Sequence, residues 1–176
     1  MGTVLWRNYD EEALNKQLNL RALTPEHPRF FERWEADSRA VRESLKHRFD
    51  VAYGPAPGEK LDFFPSEDRQ SPLLVFVHGG YWQGLDKAHY SYLAPAFVEQ
   101  GIAFASVNYS LAPQARIGTM VEQVRRCLTW LYDHASDLGF ARNRITVSGH
   151  SAGGHLAAMA SATDWSVLGY PQDLLT

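Results

Sequence analysis

The sequence predicts an α/β fold with a mostly parallel sheet and flanking helices, preceded by two N-terminal helices and a β-hairpin. Two observations carry this prediction. From Pro72 onward, short apolar runs alternate with amphipathic helical patterns, which is typical of parallel β-α-β units. Before that point, apolar residues recur at helical spacing and are followed by two strand patterns with a turn rich in Pro and Gly between them.

The N-terminal part of the chain is predicted to be helical. Helical patterns cover residues 9–20 and 28–45, and a Thr-Pro-Glu-His-Pro segment separates them. Because no linker or repeat interrupts the rest, we expect a single domain. We divide it into a helical extension, residues 1–46, and a core, residues 47–176, which runs up to the helix after position 151.

The core begins with two predicted strands, residues 48–53 and 60–64, joined by a Gly-Pro-Ala-Pro-Gly turn that favours an antiparallel hairpin. Residues 73–77 form a continuous apolar run, as expected of a strand covered on both faces. The remaining core elements are strands at residues 102–108 and 144–147 and helices at residues 86–100, 119–138 and 152–162, with Gly101 and Gly139 ending the first two helices.

The composition and charge of the chain limit the kinds of partner that it is expected to bind. The chain has 176 residues, 45% of them hydrophobic, and a formal net charge of −3 with scattered basic residues, so we expect no nucleic-acid or membrane partner. No stretch is apolar enough to span a bilayer and no secretory signal is visible, which predicts a cytoplasmic protein. Cys127 is the only cysteine and is predicted to be a buried helix residue, so neither a disulfide nor a zinc cluster is expected. The predicted partner is a small molecule.

The segment Gly149-His150-Ser151-Ala152-Gly153 is a Gly-x-Ser-x-Gly motif placed between a predicted strand and a predicted helix. The bare pattern also occurs in ordinary glycine turns, but this placement favours a nucleophile elbow. In an elbow the serine side chain is exposed at the end of the sheet. The next backbone N–H, here that of Ala152, points toward developing negative charge. Ser151 is therefore the predicted nucleophile.

A second motif, His78-Gly79-Gly80-Tyr81-Trp82, directly follows the first predicted parallel strand. A glycine-rich loop at this position supplies backbone N–H groups to an oxyanion hole. We assign the donors to Gly80 and Tyr81, with Gly79 shaping the loop. For His78 we weigh a general base against a residue that braces the loop, and we favour bracing because a base must reach Ser151.

Three motifs together resemble a known family. They are His-Gly-Gly-x-Trp, Asn-Tyr-Ser-Leu-Ala-Pro at 108–113 and Gly-His-Ser-Ala-Gly-Gly-His at 149–155. This set resembles the hormone-sensitive-lipase-like branch of the α/β hydrolases. The Tyr-Trp pair in place of a third glycine is similar to the kynurenine formamidases (arylformamidases) and their bacterial esterase-like relatives. The N-terminal helices also resemble the extension of bacterial formamidase-like proteins, so the resemblance covers nearly the whole chain.

The resemblance implies a serine hydrolase that forms an acyl-enzyme without a metal or another cofactor. The leading function is arylformamidase activity on aromatic formamides such as N-formyl-kynurenine, in tryptophan degradation. A short-chain carboxylesterase is the alternative, and a noncatalytic hydrolase-like binding or assembly module is the second alternative. Tyr81, Trp82 and Tyr109 are candidate substrate contacts, although packing in the core or loop explains these aromatic residues equally well.

The chain departs from the family in its triad. In this fold the acid and then the histidine follow the serine, on loops after later strands. His155 is the only histidine after Ser151, and it lies on the helix that leads away from the site. Asp164 and Asp173 precede any further parallel strand. The triad acid and histidine therefore stay unassigned and are expected to be absent from this chain.

If part of the sheet is missing, a strand of the kind that is normally buried would lie near an exposed edge of the sheet. Three explanations remain open: the chain is a fragment, a second chain complements it, or a partner protomer in a homo-oligomer completes the sheet and triad. We favour a fragment or split chain. The 176-residue chain alone is then expected to be poorly active or inactive.

Overall fold

A computed structural model describes residues 3–176 of the chain. They divide into two compact units, one ending at Trp34 and one running from Glu35 to Thr176. The first unit opens with an antiparallel pair of very short strands, which the sequence does not predict because so few residues show no alternation. Its elements are β1 (Val4–Trp6), β2 (Tyr9–Asp10), α1 (Glu11–Leu18), α2 (Leu20–Leu23) and the start of α3 (His27–Ser44).

The predicted first helix, residues 9–20, is shorter than expected and divided. Asp10 lies in extended backbone and its side chain accepts a hydrogen bond from the N–H of Ala13 at 3.0 Å, so α1 begins after it. Asn19 ends α1 and also caps α2, because its side chain accepts from the N–H of Ala22 at 3.2 Å. Short polar side chains that bond the backbone therefore set these boundaries.

The second unit is built on one five-stranded sheet with the order β3-β4-β6-β5-β7. β3 and β4 form the predicted antiparallel hairpin, and β4 continues antiparallel beside β6. β6, β5 and β7 are parallel to one another, which confirms the predicted α/β fold class. The strands are β3 (Arg48–Ala52), β4 (Lys60–Phe64), β5 (Leu73–Val77), β6 (Ala103–Val107) and β7 (Ile145–Gly149).

Helices cover both faces of this sheet. All five residues of β6 are buried, as expected for a strand covered on both sides. The larger core includes Val75, Leu128 and Leu156, and the smaller one is centred on Phe64 and Phe104. The covering helices are α4 (Ala94–Val98), α5 (Ile117–Asp133), α6 (Ala135–Leu138) and α7 (Ala152–Ser161), with 3₁₀ helices at Lys87–Leu93 and Trp165–Leu168.

Two predicted core helices are interrupted. The helix predicted at 86–100 is a 3₁₀ helix followed by α4, because Pro95 has no N–H with which to continue the α-helical bonding. The helix predicted at 119–138 divides at His134, whose ring Nδ1 lies 2.8 Å from the carbonyl oxygen of Trp130. Gly139 ends α6, as predicted, and both it and Gly101, for which the left-handed conformation is predicted, have positive φ values of 83° and 75°.

β7 is the last named strand of the sheet, and Thr146 on it is exposed. The final residues of the chain lie along the start of its outer edge: Leu175 forms a parallel bridge with Ile145, and the N–H of Thr176 donates to the Ile145 carbonyl at 2.9 Å. Beyond that bridge, no further strand of residues 3–176 pairs with the outer side of β7. Among the same residues, no helix has both the length and the apolar character needed to cross a membrane.

Candidate active site

The loops that carry the predicted site residues meet at one edge of the sheet. Val77, the last residue of β5, is in register with Val107 at the end of β6 and with Gly149 at the end of β7. The carboxyl ends of the three parallel strands therefore lie side by side. In open α/β sheets this edge is where ligands bind.

Ser151 lies in the sharp turn between β7 and α7 and is exposed. Its backbone has φ 53° and ψ −118°, a conformation that a residue with a side chain rarely adopts. Such strain costs about 1–3 kcal/mol and persists only where the surrounding structure enforces it. The turn therefore has the backbone expected of a nucleophile elbow.

Close backbone approach explains the glycines around Ser151. A Cβ on Gly153 would collide with the carbonyl oxygens of Val77 and His78 at the end of β5. A Cβ on Gly149 would collide with the backbone of Gly153 itself. Helix α7 can therefore lie directly against the ends of β5 and β7 only because both residues lack a side chain.

The His-Gly-Gly loop, residues 78–85, contacts this elbow. A Cβ placed on Gly79 would lie 3.2 Å from the Cβ of Ser151 and 3.1 Å from Nδ1 of His150. The two motifs lie far apart in the sequence, and the register of β5 with β7 brings them into contact. The structure thus places the predicted oxyanion loop beside the predicted nucleophile.

Hydrogen bonds fix the direction of two peptide groups in the loop. The ring Nδ1 of His78 donates to the Gly79 carbonyl at 2.7 Å, and the Gly80 carbonyl accepts from the N–H groups of Gln83 and Gly84 at 3.0 and 3.1 Å. In a trans peptide the C=O and the following N–H point in opposite directions. The N–H groups of Gly80 and Tyr81 therefore point away from these partners.

The same loop contains a concentration of backbone strain. Gly80 has φ 113°, and a Cβ there would collide with the Gly84 carbonyl. Three residues with side chains, Tyr81, Trp82 and Leu85, also have positive φ values of 57°, 58° and 69°. Strained backbone of this kind is typical of functional sites, where surrounding contacts hold it in place.

Ala152 is the first residue of α7. The first N–H groups of a helix have no acceptor one turn earlier within the helix, and the helix dipole makes this end positive. The Ser151 carbonyl accepts from the N–H of His155 at 3.1 Å, which keeps the Ser151–Ala152 peptide in the helical orientation. The Ala152 amide is thus placed as a third candidate donor to an anion at Ser151.

His78 is enclosed behind the loop. It is 1% exposed, and its ring stacks on those of Tyr109 and Tyr90 with centroid distances of 4.6 and 6.2 Å. Burial lowers the pKa of His78, although the Gly79 carbonyl and the Asp86 charge favour its protonated form. A neutral, enclosed ring whose Nδ1 donates to a neighbouring carbonyl supports the bracing role and not that of a general base.

The three candidate substrate contacts have different surroundings. Tyr81 is 74% exposed, and Trp82 is partly buried with its ring edge-on to His155 at 5.5 Å. Tyr109 is 2% exposed, its hydroxyl donates to the His78 carbonyl at 2.8 Å, and burial raises its pKa. Tyr109 therefore lies behind the loop and Tyr81 is exposed on it, whereas Trp82 packs in part against the larger core.

Within residues 3–176, no hydrogen bond joins the Ser151 hydroxyl to a histidine or a carboxylate. His155 is exposed on α7 beside Trp82. The Asp164 carboxylate caps the last 3₁₀ helix by accepting from the N–H of Ser166 at 3.1 Å, which gives it a structural contact. The assignment of the triad acid and histidine to residues outside this chain stays a prediction.

Sequence reasoning missed the polar residues that support the loop from behind. The Asn108 side chain donates to the Asp86 carboxylate at 2.6 Å and accepts from the N–H of Lys87 at 2.6 Å. Asn108 directly follows β6. A polar residue at the end of a buried strand is the sequence signal that could have identified it. In the described part of the chain, no group of three or more His, Cys, Asp or Glu residues is arranged to hold a metal ion.

The parallel strands, the strained serine turn and the glycine loop beside it define the chain as an α/β hydrolase by fold. Residues 61–167, more than half of the chain, match the BD-FAE family, and the chain belongs to that family.

Several relatives are formamidases and esterases. The chain is 42% identical over 134 residues to the kynurenine formamidase of Danio rerio, a match that covers 73% of this chain and 42% of the relative. It is 35% identical over 121 residues to esterase LipC of Mycobacterium tuberculosis, covering 66% of this chain and 30% of the relative. The matched segment therefore spans less than half the length of these proteins. The relatives confirm the predicted resemblance.

Solved structures show the same fold. A candidate thioesterase from Silicibacter sp. TM1040 is 37% identical with a TM-score of 0.65, and the match covers 73% of this chain and 47% of that one. Esterase B from Lactobacillus rhamnosis is 20% identical with a TM-score of 0.63, covering 84% of this chain and 53% of that one. At that identity the second likeness concerns the fold alone.

Because Gly153 is closely packed and Gly118 is not, an alanine substitution should destabilise the protein at Gly153 but not at Gly118. Gly153→Ala should lower the free energy of unfolding by about 1–3 kcal/mol, because the new methyl group must displace the end of β5. Gly118→Ala in α5 is the matched control, since a Cβ there meets open space and alanine favours a helix by up to about 1 kcal/mol. Urea denaturation measures both changes. Equal effects of the two substitutions would contradict the close approach.

The enclosure of His78 predicts a pH dependence of stability. Because burial lowers its pKa in the folded state, the unfolded chain binds the proton more tightly. The free energy of unfolding should therefore fall as the pH decreases below about 6.5, the usual pKa of histidine. His78→Gln should lose this part of the decrease between pH 7 and 5, and His47→Gln, at an exposed position, should keep it. Identical profiles for wild type and His78→Gln would show that the ring is not held neutral.

Proposed function

We propose that this chain provides the nucleophile and the oxyanion hole of a serine hydrolase that acts through an acyl-enzyme. Ser151 is the nucleophile, and the amides of Gly80, Tyr81 and Ala152 are the oxyanion donors. The observation that carries the proposal is the contact of the Gly79 backbone with the strained serine turn. The formamidase and esterase relatives support the same reaction class.

In the proposed reaction the Ser151 hydroxyl oxygen attacks the substrate carbonyl carbon while a histidine accepts the hydroxyl proton. The carbonyl oxygen becomes an oxyanion, which the three amides stabilise. Collapse of the intermediate breaks the bond to the leaving group, which takes the proton from the histidine and leaves the acyl group on Ser151. Water then attacks the acyl-enzyme by the same route and releases the acid. Loss of a single oxyanion donor typically lowers the rate about 100- to 1,000-fold.

No residue among 3–176 is assigned as the general base or as its acid partner. Without them Ser151 retains only the oxyanion donors, and general-base assistance is worth about 100- to 10,000-fold. The 176-residue chain alone is therefore proposed to be a poor hydrolase.

The preferred substrate is an aromatic formamide of the N-formyl-kynurenine type, whose acyl group is formyl. The formamidase of Danio rerio is more similar in sequence than esterase LipC, and the exposed ring of Tyr81 and the adjacent Trp82 offer an aromatic surface beside the elbow. A short-chain carboxylesterase is the second candidate, favoured by the esterase relatives. The cytoplasmic location stays a prediction.

Steady-state kinetics on the protein purified from the cells that make it tests this proposal. We expect a higher kcat/KM for N-formyl-kynurenine than for p-nitrophenyl butyrate, and loss of both activities in Ser151→Ala by about 10,000-fold or more. Ser161→Ala, at an exposed position at the end of α7, is the matched control and should retain activity. A faster reaction with the ester would establish the esterase alternative, and full activity in Ser151→Ala would refute the assigned nucleophile.

A further inference from the structure

A buried ion pair lies behind the His-Gly-Gly loop. Nζ of Lys87 is 2.8 Å from Oδ1 of Asp62, and their side chains are 4% and 0% exposed. Lys87 begins the 3₁₀ helix that follows the loop, and Asp62 lies in the middle of β4. The pair therefore joins the segment after the loop to the sheet.

The surrounding groups complete a small ionic cluster. Nζ of Lys87 is also 2.9 Å from Oδ1 of Asp50, and Arg42 pairs with Oδ2 of Asp62. The N–H of Asp50 donates to Oδ1 of Asp62 at 3.0 Å. Both carboxylate oxygens of Asp62 thus have partners, which a buried charge requires.

Such a cluster is weak evidence for stability, because removing charges from water costs several kcal/mol per ion and apolar replacements are often as stable. We explain the cluster instead by the local backbone geometry that it holds fixed. Asp50 has φ 54°, and the pairing of β3 with β4 is irregular between Arg48 and Val51. The ionic contacts therefore hold an irregular part of the hairpin and the segment after the loop in one arrangement.

The main chain of Lys87 is also held in place, by two hydrogen bonds. Its N–H donates to the Asn108 side chain at 2.6 Å, and its carbonyl accepts from the Ser106 hydroxyl at 3.0 Å. Ser106 lies within β6 and Asn108 directly follows it. Lys87 thus bonds to β6 through its backbone and to β4 through its side chain.

The two ends of the loop have separate anchors, and Asn108 holds the far end. Its amide donates to the carboxylate of Asp86, the residue before Lys87, at 2.6 Å. At the other end of the loop, Nδ1 of His78 donates to the Gly79 carbonyl at 2.7 Å, and the His78 ring stacks on that of Tyr109. The strained residues between His78 and Asp86 therefore lie between two segments that are held in place by these contacts.

We propose that Lys87, held by Asp62, is a positioning residue that fixes the end of the oxyanion loop and thereby the direction of the Gly80 and Tyr81 amides. The inference rests on the proposed function, in which those amides bind the oxyanion. Lys87 contacts neither substrate nor reacting atoms. Its loss should weaken stabilisation of the transition state and leave substrate binding nearly unchanged.

The first test is hydrogen exchange of residues 79–85 in the purified protein. In Lys87→Met the amides of Gln83 and Gly84, which donate to the Gly80 carbonyl, should exchange at least about tenfold faster, while the amides of β5 and β6 keep their wild-type rates. Lys46→Met removes an exposed lysine just after α3 and is the matched control, with wild-type exchange expected. Unchanged exchange of the Gln83 and Gly84 amides in Lys87→Met would overturn the proposal.

The second test separates positioning from stability. Lys87→Met should lower kcat about 10- to 100-fold with KM within about threefold, a part of the loss seen when an oxyanion donor is removed outright. The double variant Asp62→Leu/Lys87→Met leaves no buried carboxylate without its lysine, so it should be more stable to heat than Lys87→Met, although Arg42 and the Asp50 N–H lose a partner, and it should not regain kcat. Recovery of kcat together with stability would show that the pair is merely structural. Absence of hydrolase activity from the wild-type protein purified from the cells that make it would refute the proposed function, whereas the exchange measurement would still decide the role of Lys87.

Discussion

The site depends on one close backbone contact, the approach of Gly153 to the carbonyl oxygens at the end of β5. A side chain at this position would separate α7 from the strand ends, and Ser151 would move away from Gly79 with it. The parallel register of β5 with β7 brings the two segments to the same level. The missing side chains at Gly149 and Gly153 then allow the contact.

This contact is useful only if the strained loop opposite Ser151 keeps its shape. The backbone of Tyr81, Trp82 and Leu85 lies in a region that side chains disfavour, at a cost of about 1–3 kcal/mol for each residue. The compensating interactions lie behind the loop, in the enclosed ring of His78 and the polar contacts of Asn108. We therefore expect the polar groups behind the loop to serve the geometry of the site more directly than they serve stability.

Features encoded in short segments could be predicted from the sequence. The run at residues 73–77, the Gly-x-Ser-x-Gly turn and the left-handed Gly139 each follow from local patterns. The contact of Lys87 with Asp62 could not be predicted, because it depends on strand pairings between distant segments. For Tyr109, an aromatic residue after a strand gave no indication of whether it faces the site or lies behind the loop, and the structure places it behind.

A crystal structure of the protein with a fluorophosphonate bound to Ser151 tests the central claim most directly. The phosphoryl oxygen of such an adduct occupies the position of the oxyanion in the acyl-transfer intermediate. The account predicts this oxygen at about 2.7–3.1 Å from the amide nitrogens of Gly80, Tyr81 and Ala152. An adduct on Ser151 whose phosphoryl oxygen faces solvent, away from residues 78–82, would contradict the assignment of the oxyanion hole.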